Sequence, residues 1–302
     1  MAIITGRASS AAVPSVDTGH CTSCGLCVAV CPTETLRMTD GKVTVDRDTA
    51  FGCIGCGQCM AVCPEQAVAV LGRELSPDDL APHPDRDGLA TDTALEGLLL
   101  SRRSIRHFKD REVELPTVDR VIELAATAPM GVPPSEVGLV VFHGRAKVQE
   151  YAADMVELMS GGLKFFRSPL FPLMGLTMGK AGRDLISSFV IPLLDTICTA
   201  RNAGNDHLFY DAPLAIQFYA PQSADPADQD IAATYAMLAA ESLGLGTCLI
   251  GSVGPVLVRS KAMKVKYGMP ADAKPGLVLI AGYPRYKFSG TIKRTFAGVR
   301  YH

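Results

Sequence analysis

Two cysteine runs constrain this chain more than any other feature: "CTSCGLCVAVCP" at residues 21–32 and "CIGCGQCMAVCP" at 53–64. Each cysteine of the second run lies 32 residues after its counterpart: Cys21 and Cys53, Cys24 and Cys56, Cys27 and Cys59, Cys31 and Cys63. Both runs end in "AVCP", so the segment is an internal duplication. Eight of the ten cysteines fall between residues 21 and 63. Such density suits disulfides in an exported chain. The opening "MAIITGRASSAAVPSVDTGH" has one arginine and no long apolar run, so no secretory signal is read there, and a metal reading is favoured.

The spacing sets the chemistry. Three thiolates two residues apart require a tightly curled loop. Gly25 and Gly57 permit that curl and bring backbone N–H groups toward the sulfurs. Soft thiolates select iron–sulfur clusters or zinc, and zinc sites more often use two separated cysteine pairs. Over roughly residues 14–72 the runs resemble the two-cluster bacterial ferredoxins, in which the fourth cysteine ligates the other cluster. The resemblance implies one [4Fe–4S] cluster on Cys21, Cys24, Cys27 and Cys63, and a second on Cys53, Cys56, Cys59 and Cys31. His20 then reads as a surface residue.

Of the 302 residues, 48% are apolar and 20% charged, with a net charge of -2. That composition is ordinary for a globular chain of two domains. It gives no reason to expect nucleic acid or an acidic membrane surface as partner. The most apolar stretch, "SPLFPLMGLTMG" at 168–179, is 12 residues long. A spanning helix needs about 20, so no transmembrane segment is expected. A superficial membrane contact there is the alternative.

Residues 73–93, rich in Pro, Asp and Gly, read as a linker. It separates a tail at 1–13 and a cluster domain at 14–72 from a larger domain at 94–302. In that larger domain "ALEGLLLSRRSIRHF" at 94–108 is helix-like. Further helix-like runs are 116–127, 145–159, 183–201, 227–243 and 255–267. Strand-like runs are "VGLVVF" at 137–142, "LAIQFYA" at 214–220 and "LVLIAGYP" at 277–284. The alternation predicts a sheet covered on both faces. "GLGTCLIG" at 244–251 follows a helix rather than a strand, which fails the context of a dinucleotide fingerprint.

"SRRSIRHF" at 101–108 gathers cationic forks and a hydroxyl, the chemistry that holds a phosphate. The plain alternative is a solvated basic helix end. "AATAPMG", "DAPLAIQFYA", "AAESLGLGTCLIG" and "LIAGYPRYKF" followed by Lys-Arg come after it in order. The ordered set over about residues 93–300 resembles the FMN-dependent nitroreductase family. The whole chain resembles a ferredoxin–nitroreductase fusion. The resemblance implies an α+β fold: a small two-cluster ferredoxin domain, then a nitroreductase-like α/β domain with a central, mostly antiparallel sheet flanked by helices.

The same resemblance implies the FMN contacts. Arg102, Arg103, Ser104 and Arg106 would take the phosphate and ring edge. Pro129, Met130 and Gly131 would touch the flavin of the partner subunit. The backbone of Leu249, Ile250 and Gly251 would pass the ring, and Lys293 and Arg294 would close on the phosphate. Asn205 is a candidate ribityl contact. One departure stands out: "VPPSEV" at 132–137 puts Pro133 or a neighbour where the family often has Asn followed by Gln-Pro-Trp. Phe165, Phe166, Phe171, Met174 and Met178 in segment 160–180 are candidates for a flavin roof or for dimer-interface core. Tyr210, Tyr219, Cys198 and Cys248 read as packing.

No catalytic side chain is expected, since the chemistry belongs to FMN. The implied protein is a cytoplasmic homodimer, an FMN-dependent oxidoreductase whose two [4Fe–4S] clusters exchange electrons with the flavin. It would reduce a small electrophile, with a ferredoxin-like protein or NAD(P)H as electron donor. The alternative is an electron-transfer module relaying between protein partners, or from NAD(P)H to the clusters.

Overall fold

The computed structural model describes residues 10–73, 80–131, 135–169, 171 and 179–302. The chain divides into two compact units. The first comprises Met1–Leu89 with Pro129–Val137 and Ser223–Asp228, and the second the remainder.

The first unit repeats one motif twice. Strand β1 (Val13–Val16) pairs antiparallel with β4 (Val68–Leu71), and β2 (Leu36–Thr39) pairs with β3 (Lys42–Val45). Each cysteine run ends in a one-turn helix, α1 (Leu26–Ala29) and α2 (Gln58–Ala61). Gly25 and Gly57 precede these turns at φ 77° and 71°. A side chain is strained in that region, so the glycines are what allow the curl. The core is small: Ala12, Leu36, Val43, Met60, Val68 and Val70 close around the buried Cys27 and Cys59.

The second unit is built on a four-stranded antiparallel sheet of order β5-β6-β8-β7. Its strands are β5 (Gly138–His143), β6 (Leu214–Ala220), β7 (Gly246–Ile250) and β8 (Lys274–Gly282). Both central strands are buried almost throughout, as expected for a sheet covered on both faces. The covering helices include α3 (Asp92–Ser101), α4 (Leu115–Ala125), α5 (Arg145–Phe166) and α6 (Gly179–Leu185). A π turn at Ile186–Val190 joins α6 to α7 (Ile191–Asn202), and α8 spans Asp228–Ser242. Gly244 at φ 80° turns the chain from α8 into β7.

An aromatic stack forms the centre of this core. Phe142 and Tyr151 lie parallel at 4.0 Å, Phe209 stacks on Tyr151 at 5.4 Å, and Tyr267 meets Tyr151 edge-on at 4.9 Å. Cys198 and Cys248 are buried among these apolar groups, as packing residues should be.

Three expectations need correction. The helix-like run at 94–108 is helical only to Ser101, and the chain then extends. Of its leucines, Leu95, Leu99 and Leu100 are about half exposed and Leu98 is partly buried. The helix expected at 255–267 is two short ones, α9 (Gly254–Leu257) and α10 (Lys261–Lys266), because the Ser260 hydroxyl caps a new start by accepting from the Met263 amide. The run at 183–201 is interrupted by the π turn, where Ser187 and Ser188 hydroxyls donate to the Asp184 carbonyl. Among the described residues no helix is long and apolar enough to cross a membrane.

Candidate functional site

The eight repeat cysteines are all free thiols in the first unit. Cys21, Cys24, Cys27 and Cys63 line one cavity together with Glu65 and the Gly25 turn. Burial pushes the Cys27 thiol up, and the nearby charges of Cys63, Cys21 and Cys24 push it the same way. Burial raises Cys59 to about 12, with Cys53, Cys56 and Cys31 as its charged neighbours. Cys53 likewise feels Cys56 and Cys31 after its own burial. The thiols therefore sort into two neighbourhoods, Cys21–Cys24–Cys27–Cys63 and Cys31–Cys53–Cys56–Cys59. Each contains three cysteines of one run and the last of the other.

These donor sets fit iron–sulfur clusters. Burial makes Cys27, Cys53 and Cys59 costly to ionise, and a metal that demands thiolate removes that cost. Among the described residues, no three His, Cys, Asp or Glu side chains converge on a single ion. Backbone amides already point at sulfur: Ser23 N–H at 3.4 Å from Cys21 Sγ, Gly55 N–H at 3.3 Å from Cys53 Sγ, and Ala67 N–H at 3.3 Å from Cys63 Sγ. His20 is exposed and pairs with Asp17 at 2.8 Å, a surface contact.

In the second unit the arginine segment is an added strand. The Ile105 amide donates to the Thr247 carbonyl at 2.8 Å, and Ser104 bridges to Thr247 in parallel sense. The Lys109 amide donates to the Tyr283 carbonyl at 2.8 Å, and the Arg285 amide to His107 at 2.9 Å. Ile105 is buried, which throws Ser104 and Arg106 to the opposite side of the strand. Arg103 lies over backbone carbonyls, donating to Arg102 at 2.6 Å and Gly290 at 3.4 Å. Arg106 extends over the Tyr210 ring, 5.6 Å from its centroid. Among the described residues none of Arg102, Arg103 and Arg106 forms an ion pair with a carboxylate. An unneutralised cationic cluster of this kind fits a phosphate.

Among the described residues three cavities border this segment, the smallest, of about 150 Å³, lined by Ser104, Ile105, Arg106, His107, Tyr286 and Phe288; the other two are larger. One, of about 500 Å³, is lined by Ser101, Arg103, the Gly244–Gly246 turn and the segment Tyr286–Thr291. The other, of about 520 Å³, takes Arg106, Asn205, His207, Tyr210 and Arg285. Asn205 is thus near Arg106, not Arg103. Tyr210, expected to be packing, packs against the core at φ 57° and also lines that cavity.

Strand β7 is the sheet edge. The Thr247 carbonyl faces outward to Ile105, so by strand alternation the backbone of Leu249 also faces the open edge. Ile250 faces β8, paired with Val278, and Gly251 follows just past the strand. Lys293 and Arg294 are exposed in the C-terminal arm. That arm is tied nearby, where the Thr291 hydroxyl donates to the Leu100 carbonyl at 3.0 Å. Pro129, Met130 and Gly131 cluster with the first unit, where the Gly131 amide donates to Asp228 Oδ1 at 2.9 Å. Residues 132–134, including Pro133, lie outside the described residues, as do Met174 and Met178. Phe165, Phe166 and Phe171 form one ring cluster, with Phe166 and Phe171 edge-on at 5.2 Å.

Sequence reasoning missed Arg73, which is buried beside the Cys53 loop, and Tyr283, whose hydroxyl donates to Glu114. The first was legible only as one more residue of the linker.

Comparison with known proteins agrees with this architecture. A family model described as the nitroreductase family matches residues 99–283, and one described as a 4Fe-4S dicluster domain matches residues 20–68. No curated protein sequence matches the chain. Among solved structures, an FMN-bound nitroreductase from Bacteroides fragilis superposes with a TM-score of 0.50 at 18% identity, over 70% of this chain and 99% of that one. An FMN-dependent nitroreductase from Clostridium difficile gives 0.50 at 18% identity, over 70% of this chain and 100% of that one. These likenesses show a shared fold. With its sheet, its arginine strand and the matched 99–283 segment, the chain belongs to the nitroreductase family and is a flavin-dependent oxidoreductase carrying a ferredoxin-type domain.

Proposed function

We propose that this protein binds FMN in its nitroreductase-like part and two [4Fe–4S] clusters in its ferredoxin-like part, and that electrons pass between them to reduce a small electrophilic substrate. The parts are residues 14–72 and 94–302, joined by 73–93. The observation that carries the reading is the sorting of eight thiols into two sets of four, in one chain with an arginine strand that no carboxylate neutralises among the described residues.

FMN supplies the exchange of single electrons for a hydride equivalent. The chain supplies placement. Arg102, Arg103, Ser104, Lys293 and Arg294 hold the phosphate end, and Arg106 stabilises negative charge at the ring edge. The outward backbone of Leu249, with Ile250 and Gly251, borders the ring. Pro129, Met130 and Gly131 reach the flavin of the partner subunit.

A homodimer is part of the reading. Leu95, Leu99 and Leu100 on α3 are about half exposed, and Ile292, Phe296, Val299 and Tyr301 of the C-terminal arm more so, from 61% to 94%. Apolar surface this extensive calls for a cover, and a second copy of the chain supplies it. Substrates of fitting chemistry are nitroaromatics, quinones, activated alkenes and halogenated aromatics. The cytoplasm is the fitting compartment for oxygen-sensitive clusters.

Anaerobic mixing tests the reading. Iron- and FMN-loaded protein is mixed with reduced ferredoxin, NADH or NADPH while flavin absorbance is followed. Fast bleaching by reduced ferredoxin, lost in Cys24→Ala or Cys56→Ala, is the expected result. Fast bleaching by NAD(P)H with cluster reduction trailing overturns the inlet role of the clusters.

A further inference from the structure

The arginine segment and the chain after β8 bring two further cations to one place. The Arg285 amide donates to the His107 carbonyl at 2.9 Å, and Phe108 bridges Pro284 in antiparallel sense. Arg285 therefore stands on the strand next to Arg106, and both line the cavity of about 520 Å³. Small-molecule sites run from about 300 to 1,000 Å³, so the size is suitable. None of Arg102, Arg103, Ser104, Lys293 and Arg294, the residues assigned to the flavin phosphate, lines this cavity.

The carboxylates of the cavity are engaged within the protein. Asp110 accepts from Arg145 Nη1 at 2.7 Å. Asp206 is buried and accepts the amides of Leu208 and Phe209, both at 2.9 Å, that of Asp211 at 3.2 Å, and the Gln149 side chain at 2.8 Å. Asp211 accepts from the same Gln149 nitrogen at 2.9 Å. Arg145 is occupied as well, since its other nitrogens donate to the carbonyls of Asp211 at 3.1 Å and Lys109 at 2.5 Å. Among the described residues no oxygen takes the guanidinium of Arg106 or Arg285; Arg106 only overlies the Tyr210 ring. Two planar cations are left on one cavity, and such forks match a carboxylate.

The wall beside them is aromatic and fixed. His207 and Tyr210 stack with their planes 19° apart and centroids 6.5 Å apart. Tyr210 and Asp211 hold consecutive positive φ values of 57° and 54°. Side chains rarely adopt that region, and residues kept there cluster at ligand clamps. Here the Asp206 carboxylate holds the loop by gathering three of its amides.

We propose that this cavity binds the carboxylate of a flat aromatic acid, with Arg106 and Arg285 as its cationic partners and the His207–Tyr210 pair as its wall. The small electrophile that this protein reduces is then an aromatic carboxylate rather than a neutral arene. This deepens, and rests on, the reading above that puts Arg106 at the flavin edge.

The experiment is calorimetric titration of the iron- and FMN-loaded chain with benzoate and with benzamide, its neutral analogue. Benzoate is expected to bind about tenfold tighter or more, the scale of a charge-assisted hydrogen bond. Arg285→Gln removes that preference and leaves benzamide binding unchanged, while Arg285→Lys keeps part of it. The Arg285 side chain has no partner to lose among the described residues, so the variant retains the fold. Equal binding of the two compounds by the parent overturns the proposal, as does a preference that survives in Arg285→Gln. Inorganic phosphate that displaces benzoate below about a tenth of benzoate's own Kd makes the site one for phosphate esters and overturns the carboxylate assignment. Turnover of 4-nitrobenzoate and 4-nitrobenzamide separates the two readings: charge-selective benzoate binding with neither compound reduced upholds the site and overturns the reductase reading.

Discussion

The amide of Ile105 donates to the carbonyl of Thr247 at 2.8 Å, and this bond makes the arginine segment a neighbour of strand β7. It is reinforced by contact: Ile105 is buried against Gly246, where a Cβ would meet Ile105 Cγ1 at 2.6 Å and its Cβ at 2.9 Å. Gly246→Ala is expected to push the strand outward, at a cost of about 1–3 kcal/mol, typical of overpacking a core. Thermal unfolding and FMN affinity should both fall. A variant as stable as the parent and with unchanged affinity would show that the strand tolerates the shift.

Among the described residues Arg103 has backbone carbonyls alone as hydrogen-bond partners, those of Arg102 and Gly290. Its charge is available to an anion. Arg103→Gln should weaken FMN binding by about tenfold or more, the scale of a lost charge-assisted bond. Riboflavin, which lacks the phosphate, should bind the parent and the variant equally. Fluorescence titration with both ligands separates the two cases.

Tyr151 is fully buried, and its hydroxyl donates to Gln217 Oε1 at 2.8 Å. The Gln217 amide in turn donates to the carbonyls of Phe218, Gly276 and Leu277, at 2.6, 3.1 and 3.3 Å. Tyr151→Phe keeps the ring stack but leaves the Gln217 oxygen without its donor. The expected loss is about 1–3 kcal/mol, the desolvation penalty of one unsatisfied polar group. Denaturant unfolding should show a lower midpoint with an unchanged slope.

Glu114 is held at about 2, below the ordinary 4.5, by the Tyr283 hydroxyl first and the Arg111 guanidinium second. Arg111 also lies 4.0 Å over the Tyr283 ring. A depressed carboxylate stabilises the folded state above its ordinary range and loses that effect as pH falls toward its folded value. The melting temperature of the parent should therefore exceed that of Glu114→Gln near neutral pH. The difference should shrink below about pH 4.5 and vanish near pH 2. The group is exposed, so added salt should reduce the difference. A constant difference across that range would mean the contact is not electrostatic.

The cluster half was legible because its chemistry is local. Thiol spacing, the tight glycines and the 32-residue repeat stand in consecutive residues. Gly25 and Gly57 do adopt positive φ as that curl demands. Strand β6 was equally plain, since "LAIQFYA" is apolar apart from Gln217 and is buried on both faces.

The sequence by itself determined the ligand types, the duplication, the main strands and the order of the nitroreductase-like segments. Tertiary structure decided what depends on distant partners. Residues 102–108 continue a helical pattern, yet they extend, because Ile105 and Lys109 find carbonyls at Thr247 and Tyr283, more than 140 residues away. Long-range hydrogen bonds of that kind override local propensity, which is worth only about 0.7 kcal/mol per ordinary residue. Arg73 is the same lesson in charge. In the chain it is one basic residue after a strand, and only folding lays it on Gly55, where a missing side chain leaves room for a buried cation.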